Sequence, residues 1–165
     1  MPDDYTPATI ADVRRLRDTL DQQGKKLVFT NGCFDLLHPG HVDFLRRARA
    51  LCGSLAVFLN SDASVARLKG PTRPAMDCNA RRAMLLACRY VDRVVVFEED
   101  TPVAKFKALN ETPGMYIKEV GTNVEQSVEA AWCLQRGVPI VLLGRYVNAS
   151  TTSILRSIRE QGTVS

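Results

Sequence analysis

A chain of 165 residues with 45% hydrophobic and 24% charged residues has the balance of a globular protein with one buried core, which excludes a disordered chain. No apolar run reaches bilayer-spanning length, and the acidic start Met1-Pro2-Asp3-Asp4 lacks the basic and apolar regions of a secretion leader; a cytoplasmic protein with no membrane partner is expected. The net charge of +4 is spread as Arg14-Arg15-Arg17, Arg46-Arg47-Arg49 and Arg81-Arg82 over separate predicted helices, which fits solvated faces and a phosphate-rich small ligand, not nucleic acid.

The elements read as an alternation of helix and strand. A first helix is predicted from Thr9 to Gln23, stopped by Gly24. Lys26 to Thr30 is a buried strand, followed by helical spacing at Val42, Leu45, Ala48 and Leu51 that ends at Gly53. Leu55 to Asn60 is the second strand. A polar loop over Lys69 to Asp77 leads to a helix near Asn79 to Cys88, and Val94 to Phe97 is the third strand. Thr101-Pro102 opens another helix, with Thr expected at the cap. Met115 to Lys118 is a short fourth strand, Val124 to Arg136 a helix stopped at Gly137, and Pro139 to Leu143 the fifth strand. A last helix starts at Ser150.

Strands that are continuous apolar runs and alternate with helices imply a parallel sheet covered on both faces. The expected fold is a single-domain, Rossmann-like α/β three-layer sandwich with a five-stranded parallel sheet, residues 1–24 forming an N-terminal helix and residues 25–165 the remainder of one compact domain. In such folds ligands bind beyond the carboxyl ends of the strands, where the strand order reverses.

Cys33, Cys52, Cys78, Cys88 and Cys133 are odd in number, widely spaced and form no C-x-x-C pair, so most are expected to be core residues and none a disulfide partner or zinc ligand. The chemistry concentrates between the first strand and the next helix, in Thr30-Asn31-Gly32-Cys33-Phe34-Asp35-Leu36-Leu37-His38-Pro39-Gly40-His41. It holds both histidines of the chain, three residues apart around a Pro-Gly turn. Pro39 fixes φ and Gly40 admits a close approach of phosphate. His41 falls in the first helical turn, where free N–H groups attract anions. Two imidazoles there can donate to phosphate oxygens. Lys69 and Arg73 lie in a Gly/Pro-rich loop after the second strand, where cations can neutralise phosphate. No G-x-G-x-x-G or G-x-x-x-x-G-K-[ST] follows a strand, which excludes dehydrogenase and P-loop chemistry.

These residues resemble the H-x-G-H motif of the nucleotidyltransferase superfamily. They resemble most the T-N-G-C-F-D-x-L-H-x-G-H of the heptose-1-phosphate adenylyltransferases. Asn60-Ser61-Asp62-Ala63-Ser64, the stretch from Arg67 to Pro74, Phe97 to Pro102 and Ser150-Thr151-Thr152 continue the likeness, which runs from about Lys26 to Ile158. Two features depart from it. Lys118-Glu119-Val120-Gly121-Thr122 stands where that family has K-G-G-D-Y. Arg145 before Ser150, and Arg89-Tyr90-Val91-Asp92, are similar to the glycerol-3-phosphate cytidylyltransferases.

The resemblance implies in-line attack of an acceptor phosphate on the α-phosphorus of a nucleoside triphosphate, with pyrophosphate leaving. ATP and a sugar 1-phosphate are the favoured pair, CTP with an alcohol phosphate the alternative, and a non-catalytic nucleotide-binding module a further one. It assigns His38, His41, Lys69 and Arg81 to catalysis. Nucleotide binding falls to Thr30, Asn31, Gly32, Cys33, Phe34, His38, Gly40, His41, Lys118, Arg145, Ser150, Thr151 and Thr152. Acceptor binding falls to Asp35, Asn60, Asp62, Lys69, Arg73 and Arg81; Asp35 could equally orient a histidine or a loop amide. Mg²⁺ is expected to be held mainly by the nucleotide phosphates, not by protein side chains. The expected partners are small molecules and a second copy of the chain in a homodimer.

Overall fold

In the computed structural model, residues 6–109, 114–144 and 150–161 are described. The elements are α1 (Ile10–Gln22), β1 (Val28–Gly32), α2 (Pro39–Cys52), β2 (Leu55–Asn60), α3 (Asp62–Lys69), α4 (Cys78–Ala87), β3 (Arg93–Phe97), α5 (Val103–Ala108), β4 (Met115–Glu119), α6 (Val128–Leu134), β5 (Ile140–Leu143) and α7 (Thr151–Gln161). The five strands form one parallel sheet in the order β3-β2-β1-β4-β5. Strand order reverses beside β1, whose neighbours are β2 on one side and β4 on the other. The expected three-layer α/β sandwich is therefore the fold found.

Period-two alternation in the central strands divides the core between the two faces. Leu27, Phe29, Ala56, Phe58, Val95 and Tyr116 face Val13 and Leu20 of α1, Phe106 of α5 and Trp132 of α6. Here Phe106 packs edge-on against Phe29 and Phe58, with ring centroids 4.5 and 4.8 Å apart. Val28, Leu55, Val57, Leu59, Val94 and Ile117 face Leu45 and Ala48 of α2 and Leu85 of α4. The helix at residues 10–22 thus contributes to the same core as the sheet. Ahead of it, the Ala8 N–H donates to the Val94 carbonyl at 2.9 Å, so the chain entering α1 runs along edge strand β3.

Local signals explain most boundaries. Thr9 and Asp12 form a reciprocal capping box at the start of α1. Gly53 ends α2 in the left-handed conformation, at φ 81°. Three boundaries differ from expectation. Residues after Asn60 do not simply end a strand: Ser61 caps α3, accepting from the Ser64 N–H, and Lys69 is its last residue. The expected Thr101 cap is absent; Pro102 occupies the cap position of α5 without a side-chain bond, and the buried Thr101 hydroxyl has no hydrogen-bond partner. The helix expected from Val124 begins at Val128, because Gly121, at φ 97°, prolongs the turn after β4 and Ser127 caps Ala130.

Candidate active site

The carboxyl ends of β1 and β4 open, at the reversal of strand order, onto a cleft of about 210 Å³. Its lining comes from the exit of β1 (Asn31, Gly32, Cys33, Phe34), the first turns of α2 (His38, Gly40, His41, Phe44) and the end of β4 (Lys118, Glu119, Thr122). The two sequence segments meet because Thr30 Oγ1, buried between the strands, donates to the Ile117 carbonyl at 2.8 Å.

The histidines are placed by the helix they begin. His38 is the N-cap of α2, and its Nδ1 accepts the His41 backbone N–H at 3.3 Å. A neutral His38 then carries its proton on Nε2. Pro39 takes the first helical position, where its missing N–H is harmless. The two rings stack with centroids 3.7 Å apart and planes 19° from parallel. Phe34, at φ 43°, folds back over Gly32, and its ring lies 5.1 Å from that of His41. A Cβ on Gly32 would stand 3.1 Å from the Phe34 ring, so residue 32 is glycine for close approach.

Asp35 and Arg81 build the frame beneath the cleft. Buried Asp35 pairs with Arg73 and accepts the N–H groups of Ala75 at 2.7 Å and Met76 at 3.2 Å, so it fastens the loop between α3 and α4. The Arg81 side chain is 0% exposed. It donates to the carbonyls of Cys33 (2.7 Å), Asn60 (2.8 Å) and Met76 (3.0 Å) and to the Asp62 carboxylate (2.7 Å). Those four bonds tie the β1 exit, the β2 end and the start of α4 together. Arg81 is not in the cleft lining, and its guanidinium makes these four bonds to protein acceptors. Asn60 is buried too, its Nδ2 donating to Ser64 Oγ at 3.0 Å.

Lys69 ends α3 on the exposed side of this frame. α3 is held in turn by Ser64 Oγ to the Glu99 carbonyl (2.7 Å) and Arg67 to the Glu98 carbonyl (2.6 Å). Lys69 is not in the cleft lining, but its charge acts on both Cys33 and Lys118, which are. Burial pushes the Cys33 thiol up despite Lys69, Arg81 and Arg73 nearby, so Cys33 packs and does not ionise readily.

At the start of α7, Ser150 Oγ accepts the Ser153 N–H at 3.1 Å, a capping bond. Thr151 Oγ1 reaches the Leu36 carbonyl at 3.5 Å, so the α7 start lies beside the loop that precedes His38, with Thr152 exposed. Arg145 lies outside the described residues. Sequence reasoning missed Phe44 as a lining residue and named Glu119 and Thr122 only as part of the stretch that departs from K-G-G-D-Y. Position was the available signal for the last two, since they follow the fourth strand at the switch point. Among the described residues no three His, Cys, Asp or Glu side chains are grouped to hold a metal, and no helix is long and apolar enough to cross a membrane.

Comparison with known proteins gives this geometry its family. Residues 29–157 match the cytidylyltransferase-like family model. The chain is 46% identical to the bifunctional protein HldE of Nitrobacter hamburgensis over 146 residues, 84% of this chain and 29% of that protein. It is 39% identical to the bifunctional protein HldE of Gluconobacter oxydans over 159 residues, 96% of this chain and 33% of that protein. The chain therefore spans about a third of the length of these relatives. Among solved structures, the lipopolysaccharide core biosynthesis protein from Thermoplasma volcanium superposes with a TM-score of 0.62 at 26% identity, covering 75% of this chain and 100% of that one. The chain belongs to the cytidylyltransferase-like family and is a nucleotidyltransferase.

Proposed function

We propose that this chain transfers the adenylyl group of ATP to a sugar 1-phosphate of the heptose type, giving an ADP-sugar and pyrophosphate. The observation that carries the reading is the stacked His38–His41 pair at the N-terminus of α2, in a cleft at the strand-order switch point. An acceptor phosphate oxygen attacks the α-phosphorus as the bond to the bridging α–β oxygen breaks, and pyrophosphate carries away the electron pair. Such chemistry needs positioning and charge stabilisation more than covalent participation. His38 donates from Nε2, and His41 and the first N–H groups of α2 supply further donors around the α- and β-phosphates.

Lys69, Arg73 and Lys118 bring positive charge to the acceptor and the triphosphate, and the capped start of α7 at Ser150 and Thr151 receives the outgoing pyrophosphate. Asp35, Asn60, Asp62 and Arg81 shape the floor and the loop between α3 and α4. Mg²⁺, carried by phosphate oxygens and water, would neutralise charge on the triphosphate. The same proposal includes a homodimer in the cytoplasm.

The identity to HldE proteins and the Thr30–His41 pattern support ATP and a heptose-like acceptor. The likeness of Arg89-Tyr90-Val91-Asp92 to cytidylyltransferases has a structural explanation that bears on neither substrate. Asp92 accepts the Leu55 N–H at 2.8 Å and the Ser54 hydroxyl at 3.1 Å and pairs with Arg49 at 2.5 Å, joining α2, β2 and β3.

The test is pyrophosphate release from each of ATP, CTP, GTP and UTP against heptose, hexose and polyol phosphates. Turnover with ATP and a sugar 1-phosphate is expected. Selective turnover of CTP with glycerol 3-phosphate would refute the substrate pair, and nucleotide binding without turnover on any acceptor would refute catalysis.

A further inference from the structure

Tyr116, Ser127 and Glu129 have no part in the mechanism above, yet they join Asn31 and Lys118 in one polar chain under the cleft. Tyr116 Oη donates to Asn31 Oδ1 at 2.6 Å, and Lys118 Nζ donates to the same oxygen at 3.2 Å. An amide oxygen has two lone pairs, and both are now engaged. The amide is thereby oriented so that Asn31 Nδ2 faces Glu129 Oε1 at 3.4 Å. Glu129 Oε2 is fixed from its other side by Ser127 Oγ at 2.8 Å. Ser127 is itself the cap of α6, so the carboxylate is anchored to a helix terminus. At the top of the chain, Lys118 reaches the cleft beside His38, Gly40 and His41.

We propose that Glu129 is a positioning residue for nucleotidyl transfer, holding the Asn31 amide so that the Lys118 ammonium faces the nucleotide phosphates. The inference rests on the nucleotidyltransferase reading of the cleft. The Asp and Tyr of K-G-G-D-Y are absent after Lys118; here an acid from α6 and a phenol from β4 reach the Asn31 amide that Lys118 also contacts. Charge works in the same direction as geometry. Burial favours the neutral amine of Lys118, and the Glu129 carboxylate opposes that most, with Cys33 also opposing and Lys69 adding to the depression. Among the described residues, the remaining titratable groups around the ammonium are Tyr116 and Glu119 of its own strand and His38 and His41 of α2.

The test combines steady-state kinetics with an NMR titration of lysine labelled at Cε, the Lys118 resonance being identified by its loss in Lys118→Arg. Glu129→Gln is expected to raise the KM for the nucleoside triphosphate about 10-fold while kcat stays within about 2-fold, the pattern of lost ground-state binding through a charge-assisted contact. It should also move the Lys118 titration and the alkaline limb of kcat/KM to lower pH. Tyr116→Phe, which keeps every charge, should raise the same KM with the Lys118 titration left near wild type, and it carries the KM test if Glu129→Gln does not fold. A wild-type KM and alkaline limb in Glu129→Gln overturn the proposal. If wild-type protein releases no pyrophosphate with any pair of substrates, the function assigned above fails, and an unmoved Lys118 titration in Glu129→Gln then overturns the positioning role separately.

Discussion

Replacing Arg81 by lysine tests whether this residue acts by framing the site or by touching substrate. The guanidinium holds the Cys33, Asn60 and Met76 carbonyls and Asp62 from a side chain that is 0% exposed. A lysine keeps the charge but offers one compact donor group in place of a planar fork, and it cannot span these acceptors. At least two carbonyls then lose their donors, at about 1–3 kcal/mol each, or about 4 kcal/mol together. For a chain of 165 residues, with about 2–4 °C of melting temperature per kcal/mol, the expected drop is about 8–16 °C. Thermal and urea unfolding followed by circular dichroism read the loss, with kcat measured on the same samples below the transition. A melting temperature within about 2 °C of wild type, combined with a kcat reduced about 100-fold, would refute the framing role and make Arg81 a direct contributor to catalysis.

Three further outcomes are expected. His41→Ala should lower turnover by about 10²–10³ with little change in melting temperature. His38→Ala should lose activity to a similar degree and also about 0.5–2 kcal/mol of stability, because it removes the cap of α2. Equal stability of the two variants in urea would contradict the capping role. Gly32→Ala should destabilise by about 1–3 kcal/mol, since the new methyl must displace the Phe34 ring; unchanged unfolding would show that the ring yields freely. The Cys133 thiol, pushed up to about 12 chiefly by burial, should resist iodoacetamide at pH 8 in the native protein. A group raised in the folded state contributes stability that is full below its unfolded value and lost as pH climbs toward the folded one. Stability should therefore fall from about pH 9 upward in wild type, and fall less in Cys133→Ala.

Much of the architecture was legible because its signals are local. Apolar runs at Leu55 to Asn60 and Val94 to Phe97, with stops at Gly24, Gly53 and Gly137, set the alternation of strand and helix. α3 was harder to read, since Ala63, Ser64 and Ala66 give it little apolar periodicity and a single turn of capping by Ser61 is its clearest mark. Thr101-Pro102 carries a sound helix-start pattern, yet the cap goes to Pro102 and leaves the hydroxyl unbonded. In the site, the histidine turn was readable because both rings lie in one short segment. The inward turn of Arg81, and the approach of Tyr116 and Glu129 to Asn31, depend on residues far apart in sequence, which no periodicity encodes.

The pairing of β1 with β4 has a kinetic consequence. Val28 aligns with Met115 and Phe29 with Tyr116, so the two walls of the cleft come from stretches of chain far apart in sequence. Loop closure on that scale must be met before the contacts reward it. During synthesis, β1, β2 and β3 can assemble as soon as they emerge, but the wall bearing Lys118 cannot dock until β4 is made. The cleft therefore depends on the pairing with the widest sequence separation in the sheet.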